Sequence, residues 1–581
     1  MKSRVFATVL CLAVLLTLGT VTPVLAAGMA PTEGIVGATV TISGLAAGSY
    51  SIKWDNVGVK SGTLSGGGSV SFDVPDTAGG EHTVKVDSAG LEVLSATFNV
   101  LPSIKINTDT GVVGDEVTVS GKGFAVNESS IVVTLDGTNA KTGITAGNTG
   151  SWEATFALPS AAKGSHTIGA SGSTTHASDV PAVTVTISPK IKMNPVSGNV
   201  GNPVTVSGNG FGKSEGSIQV IYDGTSVKTG ISADTKGDWS ASITIPNSTK
   251  GGHTIDASGS TTSATDVPDL TFIVSSAVTV KPASVSVGDS ITVAGCGFGG
   301  NENGVTITLD GNNIKSDISA NNEGCWSSSI TVPAMLGGMH SLDAYGSSTS
   351  ASEVADTKMT VLSKVSLEPD EGNVGTSITV TGTGFGADKD LTLKYDSDEL
   401  VTKFTTDENG TFEANLVVPK STGGKHNITA TDDGGATGTA AFSMETVAPQ
   451  VPQIVYPKEG SRAGLFDRVR PTFEWGTVSD PSGVTYSMQI SSQSDFATTQ
   501  LSLDNLAEAE YELTEDQALA RGTYYWRVKA VDGASNDSGW TESIEFKAGL
   551  MPVWLFILIV VVGAVILVRL FFMVRNMRKE R

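Results

Sequence analysis

Hydrophobic and polar residues alternate with a period of two along most of the chain. The segments 116–120 (EVTVS), 129–135 (SSIVVTL) and 182–187 (AVTVTI) show this alternation, and clusters of Gly, Asn, Asp and Ser separate them. Such alternation predicts half-buried antiparallel strands. No amphipathic helical stretch of useful length occurs before residue 551. The pattern therefore predicts an all-β protein.

A motif of twelve residues recurs every 87 residues. It reads Val-Gly-x-x-(Val/Ile)-Thr-Val-x-Gly-x-Gly-Phe and occurs at 113–124, 200–211, 287–298 and 374–385. A diverged first unit keeps the start of the motif at 36–44 but lacks Gly-x-Gly-Phe and the later tryptophan of the other units. We predict repeats 1 to 5 at 28–102, 103–189, 190–275, 276–363 and 364–446.

The length of the repeat and its glycines predict the fold of one unit. Short strands with turn signals about every ten residues, in 87 residues, predict a β-sandwich of about seven strands. Gly-x-Gly directly after a strand predicts a backbone bend that residues with side chains resist. We expect the motif phenylalanine and a later aromatic residue to fill each core. These residues are Phe124, Phe211, Phe298 and Phe385, with Trp152, Trp239, Trp326 and Phe412.

In three units a strand and an Asp-Gly turn follow the motif, at 136–137, 223–224 and 310–311, whereas the fifth unit has Asp396-Ser397. These units resemble the IPT/TIG group of immunoglobulin-like domains of prokaryotic surface proteins, over about 29–446. The resemblance is strong for the last four units and weak for the first. It implies immunoglobulin-like sandwiches with an extracellular scaffold or adhesive role, and it implies no catalytic residues.

Residues 447–548 break the period. A proline-rich entry precedes 471–475 (PTFEW), and the aromatic segment 522–532 (GTYYWRVKAVD) follows later. This region resembles a fibronectin type III-like domain, which implies that Trp475 and Trp526 pack across its two sheets. We expect 524–530 to be a central strand.

The two termini predict export and anchoring. Lys2 and Arg4 precede an apolar run that ends in small residues, which predicts a signal peptide at 1–27. The 18 residues of 551–568 carry no charge, which predicts a transmembrane helix within 549–574. The basic tail at 575–581 predicts a cytoplasmic C-terminus and an extracellular N-terminus. An apolar run with a basic tail also fits a sorting signal, but no Leu-Pro-x-Thr-Gly-like motif precedes it, so we favour a permanent single span.

The exported part is strongly acidic. The formal charge is −22, and removing the +2 of the signal peptide and the +4 of 549–581 leaves −28 outside. Nucleic acid and anionic surfaces repel such a region, which suits solubility, cation screening or a basic partner. We predict no nucleic-acid binding.

Two cysteines remain after removal of the signal peptide, Cys296 and Cys325. They lie 29 residues apart inside one repeat. In an oxidising compartment a disulfide is the first interpretation, and two unrelated buried thiols are the alternative.

Several short patterns mimic chemical sites, and we predict no catalytic, cofactor-binding or metal-ligating residues. The glycines at 295, 297 and 300 spell a dinucleotide fingerprint without its helix, and 212–216 spells a nucleophile elbow in a variable loop. One histidine per repeat (His82, His166, His253, His340 and His426) supplies too few ligands for zinc, so we expect half-exposed strand residues. Acidic groups at Asp396/Asp398, Asp432/Asp433 and Asp480 suggest calcium at seams between domains, although solvated turn residues are the preferred interpretation.

Five Asn-x-Ser/Thr sequons mark candidate glycosylation sites on the exported side. They are Asn127, Asn247, Asn409, Asn427 and Asn536.

These observations favour a membrane-anchored cell-surface stalk with a scaffold or adhesion role, whose partner is an unidentified extracellular protein or polysaccharide. Six units of roughly 30 Å each reach on the order of 180 Å. We expect adhesive contact in the outermost repeat, 28–102. The alternative is a self-associating envelope or surface-layer component. An accessory part of a carbohydrate-binding or carbohydrate-degrading system is a weaker alternative, since no segment outside the repeats has room for a catalytic domain.

Overall fold

The computed structural model describes residues 26–579. The expected signal peptide lies outside the described residues apart from its last two positions, as do Glu580 and Arg581 of the tail. The described chain divides into two compact units. The first holds 26–277, Cys296–Asn301 and Ala320–Cys325, and the second holds Val278–Gly295, Glu302–Ser319 and 326–579.

Short strands make up the first unit, with two turns of 3₁₀ helix. Repeat 1 contains β1 (Gly28–Ala30), β2 (Glu33–Ile35), β3 (Thr39–Leu45), β4 (Gly48–Trp54), β5 (Val57–Leu64), β6 (Gly68–Asp73), β7 (Gly80–Ser88) and β8 (Leu91–Leu101). Repeat 2 contains β9 (Ser103–Ile106), β10 (Thr110–Val112), β11 (Glu116–Lys122), β12 (Ile131–Leu135), β13 (Thr138–Ile144), β14 (Trp152–Ala157), β15 (Gly164–Ser171), η1 (Ala177–Asp179) and β16 (Val183–Ser188). Repeat 3 contains β17 (Lys190–Asn194), β18 (Ser197–Asn199), β19 (Pro203–Asn209), β20 (Ile218–Tyr222), β21 (Thr225–Ile231), β22 (Trp239–Thr244), β23 (Gly251–Ser258), η2 (Ala264–Asp266) and β24 (Leu270–Lys281).

The second unit continues the series and ends in a helix. The fourth repeat contains β25 (Ser284–Val285), β26 (Ser290–Cys296), β27 (Val305–Leu309), β28 (Asn312–Ile318), β29 (Trp326–Thr331), β30 (Gly338–Tyr345), η3 (Ala351–Glu353), β31 (Val354–Ala355) and β32 (Thr357–Val361). Repeat 5 contains β33 (Lys364–Glu368), β34 (Glu371–Gly372), β35 (Ser377–Thr383), β36 (Asp390–Tyr395), β37 (Asp398–Thr405), β38 (Phe412–Val417), β39 (Gly424–Asp432) and β40 (Thr437–Met444). The fibronectin-like region contains β41 (Ile454–Tyr456), β42 (Ser461–Ala463), β43 (Thr472–Trp475), β44 (Val484–Ser491), β45 (Leu501–Leu506), β46 (Glu510–Glu512), β47 (Gly522–Asp532) and β48 (Ile544–Ala548), and α1 (Val553–Met577) follows it.

The predicted all-β sandwich fold is confirmed. In repeat 2 a sheet in the order β14–β11–β9 packs against a sheet in the order β10–β16–β15–β12–β13. The orders β1–β3–β6 with β2–β8–β7–β4–β5, β33–β35–β38 with β34–β40–β39–β36–β37, and β41–β43–β46 with β42–β48–β47–β44–β45 are equivalent to it. Each of these sandwiches has eight strands rather than about seven. The additional strand is a short edge strand, such as β10, which pairs in parallel with the last long strand of its sandwich.

The aromatic residues of the motif lie in the cores. Phe124 is fully buried and Trp152 is 6% exposed, and their rings meet edge to face with centroids 5.3 Å apart. The expectation of a bend at Gly-x-Gly was right only for the second glycine: Gly123 has φ +69°. Gly121 lies in β11 opposite Trp152, and a Cβ there would lie 2.1 Å from the indole. The first glycine is therefore required by packing rather than by backbone conformation.

The hairpin between β12 and β13 turns at Asp136-Gly137, where both residues have positive φ, +46° and +78°. This is the type I′ geometry that matches the twist of the flanking strands. Repeat 5 keeps the two-residue turn between Tyr395 and Asp398, with Asp396 at φ +52°.

The fibronectin-like sandwich is built around β47, which lies between β44 and β48 as predicted for a central strand. Trp526 on β47 is fully buried, and its Nε1 donates to the carbonyl of Pro457 at 3.0 Å. Helix α1 begins at Val553 and has no buried residue. Its 25 residues are long and apolar enough to cross a membrane. It extends to Met577, past the predicted end of the span at residue 574.

Candidate functional site at the junctions between repeats

The histidine of each repeat ties the hairpin turn to a loop at one end of the sandwich. In repeat 5, His426 Nδ1 lies 2.7 Å from Asp396 Oδ2, and His426 Nε2 lies 2.6 Å from the carbonyl oxygen of Thr422. The second carboxylate oxygen of Asp396 accepts the Asn427 N–H at 2.9 Å. Equivalent contacts join Asp55 to His82, Asp136 to His166, Asp223 to His253 and Asp310 to His340.

The expectation that these histidines are half-exposed was wrong. Their side chains are only 9–13% exposed. Both ring nitrogens are engaged, and in repeat 5 the ring also stacks on Tyr395 with centroids 5.0 Å apart. Hydrogen bonds from His426 and from the Asn427 N–H hold the pKa of Asp396 below its usual value. Burial opposes the charged form of His426, but its contacts with Asp396 and Thr422 outweigh burial and raise its pKa.

A buried glutamate closes the loop that follows the motif in repeats 2 to 4. Glu215 is 4% exposed and accepts the Gly212 N–H at 2.6 Å, the Thr261 and Thr262 N–H groups at 2.5 and 2.7 Å, and the Thr262 hydroxyl at 2.7 Å. Burial raises its pKa, but these four bonds outweigh burial and lower the pKa to about 2. We call this arrangement the glutamate latch; Glu128 and Glu302 make the equivalent contacts.

The glutamate latch was not predicted from the sequence. Its signal was present as Phe-x-x-x-Glu at 124–128, 211–215 and 298–302, with threonines 47 residues after each glutamate. The segment 212–216, set aside as a chance nucleophile elbow, contains one of these glutamates.

The same backbone hydrogen bond recurs where one repeat meets the next, and we call these places the junctions. The Gly79 N–H donates to the carbonyl of Phe124 at 2.9 Å. A Cβ on Gly79 would lie 2.2 Å from the carbonyl oxygen of Gly123, so the backbones are in direct contact. In every case the donor is the residue three positions before the histidine of its repeat. The further pairs are Lys163 to Phe211 (2.9 Å), Lys250 to Phe298 (3.2 Å), Gly337 to Phe385 (3.2 Å) and Gly423 to Ala534 (2.7 Å).

Side chains reinforce the junctions. Asp76 accepts the Ser151 hydroxyl at 2.9 Å and lies 3.5 Å from Lys122 Nζ. Between repeats 2 and 3, Lys163 Nζ lies 3.7 Å from a carboxylate oxygen of Asp266. Each of these contacts joins two different repeats.

A groove flanks three of the junctions at equivalent positions, with volumes of about 400, 320 and 320 Å³. Each is bounded by the His–Asp pair, the proline turn of one repeat and a turn of the next. The sequon residues Asn247 and Asn409 line two of these grooves.

The junction between repeat 5 and the fibronectin-like region gathers three carboxylates. Ligand oxygens of Glu445, Asp480 and Asp532 lie within 4.8 Å of one another. Ser482 Oγ donates to Glu445 at 2.7 Å, and Asn536 Nδ2 donates to Asp532 at 2.9 Å. Side-chain donors therefore already reduce the repulsion within this cluster.

The other aspartates considered for calcium differ in their contacts and in their exposure. Asp396 belongs to the histidine pair, and Asp433 lies 3.1 Å from Lys389 Nζ. Asp398 is exposed. A solvated turn was the wrong expectation for Asp432, which is 5% exposed and accepts the N–H groups of Gly386 and Ala436.

The remaining predicted residues are placed as follows. Cys296 and Cys325 are joined by a disulfide with an S–S distance of 2.10 Å. Phe211, Phe298 and Phe385 are fully buried, and Trp239, Trp326, Phe412 and Trp475 are 4–7% exposed. Among the sequons, Asn127, Asn247, Asn409 and Asn427 are exposed. The Asn536 amide is half-buried and donates to Glu445 and Asp532.

Comparison with known families identifies one repeat directly, since 363–445 match the sequence profile of the IPT/TIG domain. Repeat 5 is thus similar to the IPT/TIG domain. Repeats 1 to 3 share the strand order of repeat 5. A search of curated protein sequences found no match.

Several solved structures align with the chain at low identity. The eight N-terminal immunoglobulin domains of Down Syndrome Cell Adhesion Molecule align at 11% identity and a TM-score of 0.18, covering 90% of this chain and 72% of that one. Invasin, a bacterial integrin-binding protein, aligns at 12% identity and a TM-score of 0.17, and the alignment covers 63% of this chain and 82% of invasin. The adhesin InvE of Yersinia pseudotuberculosis aligns at 12% identity and a TM-score of 0.17, and the alignment covers 30% of this chain and 60% of InvE. Such identities and TM-scores are too low to transfer a function.

Proposed function

We propose that the chain is a membrane-anchored cell-surface scaffold that holds its N-terminal repeats at a set distance from the membrane. The observation that carries this proposal is the recurring backbone hydrogen bond at the junctions. A flexible tether needs no such contact. A bond between two backbone groups, with no room for a Cβ beside Gly79 or Gly337, restricts bending between neighbouring repeats.

Helix α1 supplies the anchor in this proposal. It is apolar, exposed along its length and followed by Arg578 and Lys579. Cations favour the cytoplasmic side, so the repeats lie outside. Adhesive contact is assigned to repeat 1, which has diverged most from the repeated motif. No residue receives a catalytic role.

Removal of one repeat in register tests the scaffold. Deleting 190–276 removes 87 residues and brings Lys163 opposite Phe298 in place of Phe211, so an equivalent junction is retained. The distance from the bilayer to a fluorophore at the extracellular end, measured on liposomes that carry the full chain, should fall by roughly 30 Å. An unchanged distance would overturn the scaffold proposal.

Deletion of 28–102 tests the adhesive assignment separately. Cells that display this variant should lose binding to isolated cell envelopes while surface display stays normal. Retained binding would remove repeat 1 as the adhesive part and leave the scaffold intact.

A further inference from the structure

Arginine is confined to one region of the exported chain. Between residues 28 and 446 the sequence has 22 lysines and no arginine, whereas 447–548 contains five arginines. These are Arg462, Arg468, Arg470, Arg521 and Arg527. Arg527 is covered, because its guanidinium lies 4.1 Å from the ring centroid of Phe496 and 4.6 Å from that of Trp540. The other four need a different explanation.

These four arginines lie at the end of the fibronectin-like sandwich from which α1 emerges. Strand β42 runs parallel to β48, with Ala463 opposite Ala548, and the chain enters α1 five residues after β48 ends. The loop 464–470, which follows β42 and which we call the membrane-facing loop, therefore lies beside the start of the helix. Arg462 immediately precedes β42's last residue, and Arg521 immediately precedes β47 at the same end.

The membrane-facing loop is bonded to the base of the helix. The Met551 N–H donates to the carbonyl of Leu465 at 3.2 Å. The ring of Phe466 meets the ring of Phe556, in the first turn of α1, with centroids 4.9 Å apart. Leu465 next to it is 63% exposed. With α1 as the proposed anchor, this exposed apolar side chain is placed at the edge of the bilayer.

The loops at this end carry four acids as well as these four arginines, but three of the guanidinium groups have no carboxylate partner in the described part of the chain. Arg462, Arg468 and Arg470 are exposed, and among residues 26–579 they form no ion pair within 4.0 Å. Arg521 lies 4.0 Å from Asp467. The other acids in the loops before β45 and β47, at this end, are Asp495, Glu515 and Asp516, and the carboxylate of Asp516 accepts the Thr514 hydroxyl. Three guanidinium groups thus remain available beside an apolar side chain, in a chain that is otherwise acidic.

We propose that the membrane-facing loop binds the anionic phospholipids of the bilayer that holds α1. Leu465 enters the edge of the hydrocarbon layer, and the guanidinium groups of Arg462, Arg468 and Arg470 donate paired hydrogen bonds to lipid phosphates. This inference rests on the proposed anchoring by α1. It assigns to the fibronectin-like region the role of orienting the scaffold on the membrane as well as joining the repeats to the helix.

Hydrogen exchange of the full chain in lipid nanodiscs tests the proposal. With phosphatidylglycerol present, the amides of 464–470 should exchange roughly tenfold more slowly than with phosphatidylcholine alone. The triple variant R462Q/R468Q/R470Q should lose this lipid dependence. The matched control K141Q/K228Q/K315Q removes three exposed positive charges elsewhere and should keep it. L465Q should speed exchange of the loop with both lipids.

Equal exchange of the wild-type loop in the two lipids, or a triple variant that behaves like the control, would overturn lipid binding. An unchanged L465Q would overturn insertion. Incorporation into nanodiscs reports on the anchor separately. A chain that incorporates but shows no lipid dependence contradicts this inference alone, whereas a chain that does not incorporate contradicts the proposed function as well.

Discussion

Replacing Glu215 with glutamine removes the charge of the glutamate latch while nearly preserving its shape. The native carboxylate accepts four hydrogen bonds, three of them from backbone N–H groups. A glutamine amide has only one oxygen, and its NH₂ group must face an N–H donor of the protein. The substitution therefore leaves at least one buried donor without an acceptor, so that the loops at 212–216 and 259–262 open more readily.

The lowered pKa sets the size of the effect. A shift from 4.5 to about 2 corresponds to roughly 3 kcal/mol in favour of the ionised folded state. Because Glu215 is only 4% exposed, solvent weakens these interactions of its carboxylate only slightly. Since the folded pKa lies below the unfolded value, the stabilisation is complete above about pH 4.5 and is lost as the pH falls toward 2.

Hydrogen exchange of the whole chain reports this locally, which matters because a protein with several domains has no single unfolding free energy. At pH 7 the amides of Thr261 and Thr262 should exchange about a hundredfold faster in Glu215→Gln than in the wild type. The difference should shrink as the pH falls from 4.5 to 2. Thr174 and Thr175, bound to Glu128 in repeat 2, are the internal control and should not change.

The interpretation would be refuted if Thr261 and Thr262 exchanged at the wild-type rate in Glu215→Gln. It would also be refuted if the difference between the two proteins were the same at pH 2.5 and pH 7. A loss of protection in the repeat 2 amides as well would indicate general unfolding rather than opening of one latch.

Three further outcomes follow from other contacts. Gly121→Ala places a Cβ 2.1 Å from the indole on the opposite strand and should destabilise repeat 2 by about 2–3 kcal/mol, measured by hydrogen exchange of the amides of that repeat, whereas Gly147→Ala, with 3.6 Å of space, should change little. Despite burial, contacts with Asp396 and Thr422 raise the pKa of His426, so its stabilisation of the fold is present below pH 6.5 and is lost as the pH rises through the folded pKa. Proteolysis of repeat 5 should therefore be slower at pH 6 than at pH 8.5, and His426→Gln should abolish the difference. Replacing Cys296 and Cys325 together with serine should lower stability by about 3–4 kcal/mol, measured as an earlier thermal transition that reductant no longer shifts.

Local patterns allowed the strands and the cores to be predicted. Alternation with period two indicated the strands. The aromatic positions of the repeated motif assigned Phe124 and Trp152 to a core, where the structure places them. The 87-residue period then extended each assignment to the other repeats. The helix was evident for a similar reason, since its apolar run is uninterrupted.

Contacts between distant segments were not predictable in this way. The latch joins Glu215 to threonines 46 and 47 residues later, and the histidine pair spans 30 residues. Neither contact can be predicted from its sequence separation, because both depend on the strand order that brings a hairpin turn beside a loop. A polar residue in a repeated sequence was therefore assigned to the surface by default, and this default failed for Asp432 as well as for the histidines.

The phenylalanine of the motif has two functions, one in the core of its own repeat and one at the junction. The Phe124 side chain fills the core of repeat 2, whereas its carbonyl accepts the N–H from repeat 1. In the fibronectin-like region the carbonyl of Ala534 has this second function, and the Ala534 side chain is fully buried in the core of repeat 5. Because the donor and the acceptor are backbone groups, the junction persists when donors change between glycine and lysine. Neighbouring repeats can therefore differ in their surface residues and still keep the hydrogen bond between their backbones.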